Sequence, residues 1–208
     1  NLGFNLFLIG SKRTNKVINE LKIQYPAINI IFIEKDFRKA YEPSFFDDIK
    51  QKINSINVSI LINNVAHRSA WKPYHKMPNQ LINDTIIVGT IVQSQLTRLV
   101  IPQFIKRKEY NAIINITAQC IFPTYGFGEI LDNAVSVPYL SVYEAANAFG
   151  YYQSNSLMKE YEKYNYKLDI LNIMPGAVLT ENTKYLKNTI FNVKVDTFVK
   201  NIMKMIGN

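Results

Sequence analysis

Tyr143 is the side chain of this chain that points most clearly to proton-transfer chemistry. It begins a helix-like stretch, and Thr117 offers a hydroxyl at the end of a strand-like one. A tyrosine pKa near ~10 must fall close to neutrality for efficient acid–base catalysis, and a fall of about three pH units corresponds to ~4 kcal/mol. Asn147, one helical turn beyond Tyr143, is neutral and cannot supply that energy by charge. The segment therefore predicts either a proton-transfer site with a weakened acid or a tyrosine that is only a packed aromatic.

Composition argues against several other chemistries. The single Cys120 permits no internal disulfide, and two histidines, His67 and His75, make a histidine-based metal site improbable. The net charge is +8 and the pI is about 9.4. The basic residues are scattered without an arginine-rich run, which favours a solvated surface over a nucleic-acid-binding one. These features indicate a reducing compartment and metal-free chemistry.

The length of the chain predicts one globular domain over residues 1–208. With 208 residues, of which 48% are hydrophobic, the chain can bury a substantial core. Its longest apolar runs are shorter than the roughly 20 residues that cross a bilayer, so the segment is expected to be soluble. Because it begins at Asn1 rather than at Met, we expect a truncated fragment.

Short apolar runs alternate with longer stretches of helical periodicity. Strands are predicted over residues 4–9, 28–33, 58–62, 112–116 and 168–173, and helices over residues 14–25, 45–53, 78–106, 143–164 and 195–205. This alternation predicts an α/β fold with a doubly wound parallel sheet in three layers. The irregular segment over residues 120–137 interrupts the alternation and predicts either a loop that overhangs the site or a partner-binding surface.

Three motifs occur in an order that identifies a family. They are Asn63-Asn64-Val65-Ala66, Asp36-Phe37 and the stretch from Pro175 and Gly176 through Val178 to Thr180. Their order and spacing resemble the short-chain dehydrogenase/reductase family with its Rossmann-like fold. The resemblance is closest to the very-long-chain 3-oxoacyl-CoA reductases, also called type 12 17β-hydroxysteroid dehydrogenases. It covers nearly the whole chain.

The resemblance implies a nicotinamide cofactor bound along the strand ends. It places Asn63 to Ala66 at the nicotinamide ribose, Asp36 at the adenine amino group, and the Pro175 turn at the carboxamide and pyrophosphate. Lys12 and Arg13 lie where the 2′-phosphate of NADP is bound, which favours NADP over NAD, although a solvated helix start is the alternative. The predicted cofactor-binding residues are Ser11, Lys12, Arg13, Asp36, Phe37, Asn63, Asn64, Val65, Ala66, Pro175, Gly176, Val178 and Thr180.

The resemblance also implies four catalytic positions, of which one keeps its family residue. Tyr143 matches the family tyrosine, whereas Asn147 replaces the lysine, Gly89 the asparagine and Ala118 the serine. Thr117 has a hydroxyl, but on a regular strand its side chain points away from that of residue 118 unless a bulge reorients it. Ser136 and Ser141 are further hydroxyls near Tyr143.

The first strand and the glycine-rich phosphate loop of the family are missing from this chain. In the family the first strand lies between the second and the fourth. Without it the sheet would have two unpaired internal edges whose backbone groups lack partners. We therefore expect native residues before Asn1, with any membrane anchor also outside this segment.

Three functions follow as expectations. The first is an NADP-dependent oxidoreductase of a 3-oxoacyl-CoA or steroid ketone, in which Tyr143 is the acid and Thr117 the carbonyl donor. The second is a catalytically inactive fold that acts as a binding or scaffold protein. Nucleic-acid binding is the least favoured. By resemblance, a homo-oligomer and the cytosolic face of the endoplasmic reticulum are expected.

Overall fold

The computed structural model describes residues 3–67, 71–118, 137–164, 166–180 and 192–205. The irregular segment predicted over residues 120–137 therefore lies outside the described residues, apart from Val137. Ser136 lies outside them as well, and Ser141 is the first residue of a helix.

Strands and helices alternate along the chain, as the sequence predicts. The strands are β1 (Leu6–Gly10), β2 (Ile30–Glu34), β3 (Ile60–Asn63), β4 (Asn111–Ile116), β5 (Leu168–Ile173), β6 (Ala177–Leu179) and β7 (Asn192–Lys194). The helices are α1 (Thr14–Gln24), α2 (Asp47–Ser55), α3 (Asn79–Ile86), α4 (Val92–Phe104), α5 (Ser141–Glu162) and α6 (Val195–Met205). The short β6–β7 ladder and two 3-10 turns, Phe37–Lys39 and Tyr74–Lys76, are additions that the apolar pattern does not predict.

All strand pairs are parallel, which confirms the predicted α/β class. β1 pairs with β2, and β3, β4 and β5 form a second sheet in that order. β6 and β7 form a third, two-stranded ladder. Parallel strands need crossover connections, and helices provide them between β1 and β2, β3 and β4, and β4 and β5.

The main sheet is divided at the place where the sequence predicts a missing strand. Within the described part of the chain, no strand pairs with the second edge of β1 or with the outer edge of β3. Ile62 of β3 is 60% exposed, so the apolar strand beside this division is incompletely covered. The chain is thus a partial domain of the predicted fold.

The core lies where β4 meets α2 and α4. Ile113 of β4 and Ile49 of α2 are fully buried, and Val92, Val100 and Phe104 of α4 pack with them. β4 is flanked by strands on both sides, and such central strands carry continuous apolar runs. The run Ala112–Ile114 follows this rule, while Asn111 and Asn115 on either side of it are buried polar residues.

The long helix predicted over residues 78–106 contains a π-helical turn. α3 passes through the π turn Ile87–Ile91 into α4, and Gly89 lies at the centre of that turn. Single π turns inside α-helices occur frequently at functional sites. By length and apolar composition alone, the stretch Asn79–Phe104 is the one described helix that could cross a membrane, a test that core helices of soluble proteins also pass.

Gln103 fastens α4 to the connection between α2 and β3. Its Oε1 accepts from the backbone N–H of Val58 at 2.7 Å, and its Nε2 donates to the carbonyl of Ile56 at 2.7 Å. A second, longer contact of 3.4 Å reaches the carbonyl of Ile53. One side chain thus satisfies backbone groups that no helix or strand pairs.

We expect Gln103→Ala to lower the free energy of unfolding by about 1–3 kcal/mol, because partly buried backbone groups lose their partners. Urea-induced unfolding of the full-length protein measures this change. Gln51→Ala in α2 is the matched control, since Gln51 is exposed and its replacement should leave stability within about 0.5 kcal/mol. Equal effects of the two substitutions would contradict the assigned role of Gln103.

Candidate active site

A small cavity lies at the carboxyl ends of β3 and β4, between the π turn and α5. It encloses about 20 Å³, which is room for roughly one water molecule. Its lining residues come from four parts of the chain and are Val65, Ala66, His67, Thr85, Gly89, Gln93, Ile116, Thr117, Tyr143, Ala146 and Asn147. Ligands of open parallel sheets bind outside the carboxyl ends of the strands, so the cavity is in the expected place.

The structure brings together several residues that the sequence singles out. Val65, Ala66, Gly89, Thr117 and Tyr143 all line the cavity together with Asn147. They are far apart in the chain and meet because β3 and β4 end, and α5 begins, at the same edge of the sheet. Ala118 follows Thr117 and is not among the lining residues.

Asn147 is turned back onto its own helix. Its side chain is 8% exposed, and Nδ2 donates to the backbone carbonyl of Tyr143 at 2.8 Å. The amide carries no charge, and its donor is used by the preceding helical turn. It therefore provides no cation beside Tyr143.

The hydroxyl of Thr117 is directed toward β5. Oγ1 donates to Asn172 Oδ1 at 3.3 Å and contacts the carbonyl of Ile173 at 3.5 Å. The backbone N–H of Thr117 also donates to Ile173 at 2.9 Å, which extends the β4–β5 ladder by one residue. A donor role for Thr117 toward a substrate carbonyl therefore requires this hydroxyl to release its contacts with β5.

Gly89 allows α5 to touch the π turn. A Cβ atom at Gly89 would lie 2.8 Å from the Cβ of Ala146, which is closer than carbon atoms approach without repulsion. A Cβ at Gly150 would similarly meet Gln93 Oε1 at 2.9 Å and Thr117 Cγ2 at 3.0 Å. At the position that the resemblance assigns to the family asparagine, a side chain would thus meet the neighbouring helix.

A chain of buried polar side chains runs beneath the cavity. Asn63 Nδ2 donates to Asn115 Oδ1 at 2.7 Å and contacts Thr97 Oγ1 at 3.3 Å. Asn115 Nδ2 donates to Ser154 Oγ at 2.8 Å, and this hydroxyl donates to the carbonyl of Gly150 at 2.6 Å. Among the described residues, Asn63 Oδ1 is buried without a hydrogen-bond partner. Asn63 therefore joins β3, β4 and, through Asn115, α5.

The residues predicted for the adenosine end of a cofactor follow β1 and β2. Ser11, Lys12 and Arg13 are exposed in the turn from β1 into α1. Asp36 accepts from Arg38 through Nε at 2.9 Å and Nη2 at 2.6 Å, and these side-chain hydrogen bonds hold the pKa of Asp36 below its usual value. Phe37 packs against the ring of Phe45.

The turn predicted for the nicotinamide end leads into β6. Gly176 is exposed, and Val178 and Thr180 follow it in and after β6, whose partner is β7. Pro175 and Gly176 are not among the residues that line the cavity. The residues after β1 and β2 stay predicted ligands of the adenosine and phosphate end of NADP, and the described part of the chain has no glycine-rich turn for its pyrophosphate.

His67 and Thr85 line the cavity although the sequence does not select them. From the sequence, the two histidines are considered only as metal ligands. The position of His67 directly after the Asn63–Ala66 motif could have indicated that it lies at the site. Asp84, next to Thr85, is 5% exposed and lies 3.9 Å from His67 through Oδ2 and Nε2.

Comparisons with known proteins agree on one family. A family model described as short chain dehydrogenase matches residues 1–190. The very-long-chain 3-oxoacyl-CoA reductase of Bos taurus is 27% identical over 198 residues, which cover 93% of this chain and 56% of the relative. The reductase of the same name from Mus musculus is 26% identical over 210 residues, which cover 99% of this chain and 61% of the relative.

The fold also has solved counterparts. The structure of a short-chain dehydrogenase from Sphingobium yanoikuyae in complex with NADPH matches with a TM-score of 0.77 at 18% identity, covering 97% of this chain and 74% of that one. The present chain spans less than two thirds of the length of the two curated relatives.

We expect Gly89→Ala to destabilise the protein by about 1–3 kcal/mol despite the better helix propensity of alanine, because the new methyl group meets Ala146. Adding Ala146→Gly should recover part of this loss, so that the double variant is more stable than the sum of the single changes implies. Ala145→Gly, at an exposed position of α5, controls for the helix propensity of glycine, about 1 kcal/mol. Additive free energies in urea unfolding would contradict the contact.

Proposed function

The chain belongs to the short-chain dehydrogenase family, and from that membership we propose that the full protein is an NADP(H)-dependent oxidoreductase that reduces a ketone of the 3-oxoacyl-CoA class. The observation that carries the proposal is the cavity at the ends of β3 and β4, which holds Tyr143 beside Thr117 and the Val65–Ala66 turn. The curated relatives named above are reductases of 3-oxoacyl-CoA, which supports the substrate class. Steroid ketones are the second substrate class.

The basic pair after β1 supports NADP over NAD. Lys12 and Arg13 are exposed where the chain leaves the carboxyl end of β1, and arginine binds phosphate through two parallel hydrogen bonds. Asp36, the acidic residue among the predicted cofactor ligands, follows the neighbouring strand β2 and is paired with Arg38. It therefore places no free carboxylate beside Lys12 and Arg13. NADP, when bound, supplies the hydride chemistry. The roles left to the chain are to hold the phosphates, to orient the carbonyl and to deliver a proton.

The cavity requires an opening motion for any ketone larger than a water molecule. Its volume of about 20 Å³ is far below the ~300–1,000 Å³ of ordinary ligand pockets. In this arrangement Tyr143 is the acid and Thr117 the carbonyl donor, as the sequence predicts, once Thr117 releases Asn172.

The oxidoreductase is also proposed to work as a homo-oligomer at the cytosolic face of the endoplasmic reticulum.

The second candidate function is a catalytically inactive fold that serves as a binding or scaffold protein. Two contacts favour it. Asn147 donates to its own helix, where the family lysine would be, and Gly89 is in contact with Ala146, where the family asparagine would be. Nucleic-acid binding remains the least favoured proposal.

Titration of the full-length protein with NADPH separates these functions. Binding in the micromolar range, followed by NADPH oxidation that depends on a ketosteroid or a 3-oxoacyl-CoA, supports the reductase. If millimolar NADPH causes no change in fluorescence or in melting temperature, the oxidoreductase proposal is wrong and the scaffold is retained.

We expect the double variant Lys12→Ala/Arg13→Ala to weaken NADPH binding by about 10- to 100-fold, the size of one or two lost charge-assisted hydrogen bonds. NADH, which lacks the 2′-phosphate, should bind the variant and the wild type within about threefold of each other. Lys16→Ala is the control, because Lys16 is an exposed cation one turn further into α1. An equal loss of affinity for NADPH and NADH would assign the pair a general electrostatic role instead.

A further inference from the structure

His67 is a titratable side chain of the cavity that the family resemblance does not account for. It directly follows Ala66 at the end of the turn after β3, and its side chain is 27% exposed. It lines the same cavity as Tyr143 and Thr117. Histidine is the side chain most often used for acid–base catalysis near neutral pH.

Asp84 places a buried carboxylate behind this histidine. Its side chain is 7% exposed, and Oδ1 accepts from Gln80 Nε2 at 2.7 Å. Oδ2 lies 3.9 Å from His67 Nε2. A carboxylate withdrawn from water is strongly unfavourable unless a positive group lies near it. The guanidinium of Arg38 also interacts with the charge of Asp84, but its hydrogen bonds are made to Asp36. Nε2 of His67 is the described basic side-chain nitrogen that lies within 4 Å of Asp84 Oδ2, and the two groups carry opposite charges when the ring is protonated.

Thr85 fixes the other side of the ring. Its Oγ1 donates to the carbonyl of Leu81 at 2.7 Å, so its single proton is used there. Toward His67 Nδ1, 3.5 Å away, the hydroxyl can therefore only accept. Nδ1 thus faces an acceptor, while no described residue makes a hydrogen bond to Nε2.

We propose that His67, oriented by Asp84 and Thr85, takes the place of Tyr143 as the group that delivers the proton in this cavity. The inference rests on the proposed reductase function. A histidine acid explains how a proton could be delivered without a cation at Asn147, because the pKa of a tyrosine then does not need to be lowered. The distance of 3.9 Å between Nε2 and Oδ2 exceeds hydrogen-bond length. When the ring is protonated, Asp84 therefore attracts it without accepting a hydrogen bond from Nε2.

The step balances with the reactants of the proposed function. The carbonyl carbon receives a hydride, which the reduced cofactor supplies when bound. The carbonyl π bond breaks, and its electron pair takes the Nε2 proton of His67 to form the O–H bond of the alcohol. The imidazole is left neutral and regains a proton from water. His67 is the catalytic residue in this scheme, and Asp84 and Thr85 are positioning residues.

Three variants of the full-length protein test the inference with NADPH and a long-chain 3-oxoacyl-CoA. We expect His67→Gln to lower kcat by about 100-fold or more while the KM for NADPH stays within about twofold, because general acid catalysis contributes ~10²–10⁴-fold. Asp84→Asn should lower kcat by about tenfold or more, again without changing the KM for NADPH. His75→Gln is the control, since His75 is exposed in the Tyr74–Lys76 turn and does not line the cavity.

Two further measurements separate a catalytic histidine from a structural one. Added imidazole should restore activity to His67→Gly, whereas it cannot repair misfolding. In ¹⁵N spectra of the full-length protein, the signals lost in His67→Gln and in His75→Gln identify the two imidazoles. Addition of the 3-oxoacyl-CoA without cofactor should shift the signals of His67 and leave those of His75 unchanged.

The outcomes distinguish this inference from the function on which it rests. If the wild type turns over and His67→Gln keeps kcat within about threefold, the reductase stands and the role of His67 is wrong. If the wild type shows no turnover with bound NADPH, the reductase and the catalytic role of His67 both fall. If kcat falls in His67→Gln and imidazole does not rescue His67→Gly, then His67 has a structural role and the proposed catalytic role is wrong.

Discussion

The hydrogen bond between Asn63 and Asn115 holds the carboxyl ends of β3 and β4 together beneath the cavity. At 2.7 Å, between side chains that are 5% and 1% exposed, it is made where water does not compete. A hydrogen bond in such surroundings is strong, and an unpaired amide there would be unfavourable. Ser154 extends the same connection to α5. Because α5 carries Tyr143 and Asn147, the position of the predicted acid depends on this buried connection.

The same connection explains why the cavity is small. α5 lies so close to β4 and the π turn that only glycine fits at positions 89 and 150 without displacing a neighbour. Helices approach at such short range when one of them presents no side chain at the contact. The resemblance assigns an asparagine to position 89, and here the methyl group of Ala146 lies against Gly89. A side chain at position 89 would therefore require α5 to move.

The sequence predicts the elements well because their apolar periodicity is strong. The five core strands and the helices between them are confirmed, as is the division of the sheet beside β1 and β3. The π turn at Gly89 could not be predicted, since α and π turns share the same apolar pattern over so few residues. The direction of the Thr117 hydroxyl depends on Asn172, which is 55 residues away. Such contacts are set by tertiary packing and cannot be predicted from the local sequence.

The role of Asp84 gives the clearest contrast between the two candidate functions. Burying a carboxylate on α3 opposes folding, and apolar residues of similar volume usually serve a purely structural position at least as well. Asp84 is nevertheless 5% exposed and lies between Gln80 and the cavity histidine. Departures from the apolar pattern of a core are expected where function requires them. A scaffold that uses only its outer surface has no need of a buried carboxylate beside a histidine of this cavity. The pair of His67 and Asp84 therefore favours a chain that retains chemistry at the strand ends, carried by residues other than those of the family tetrad.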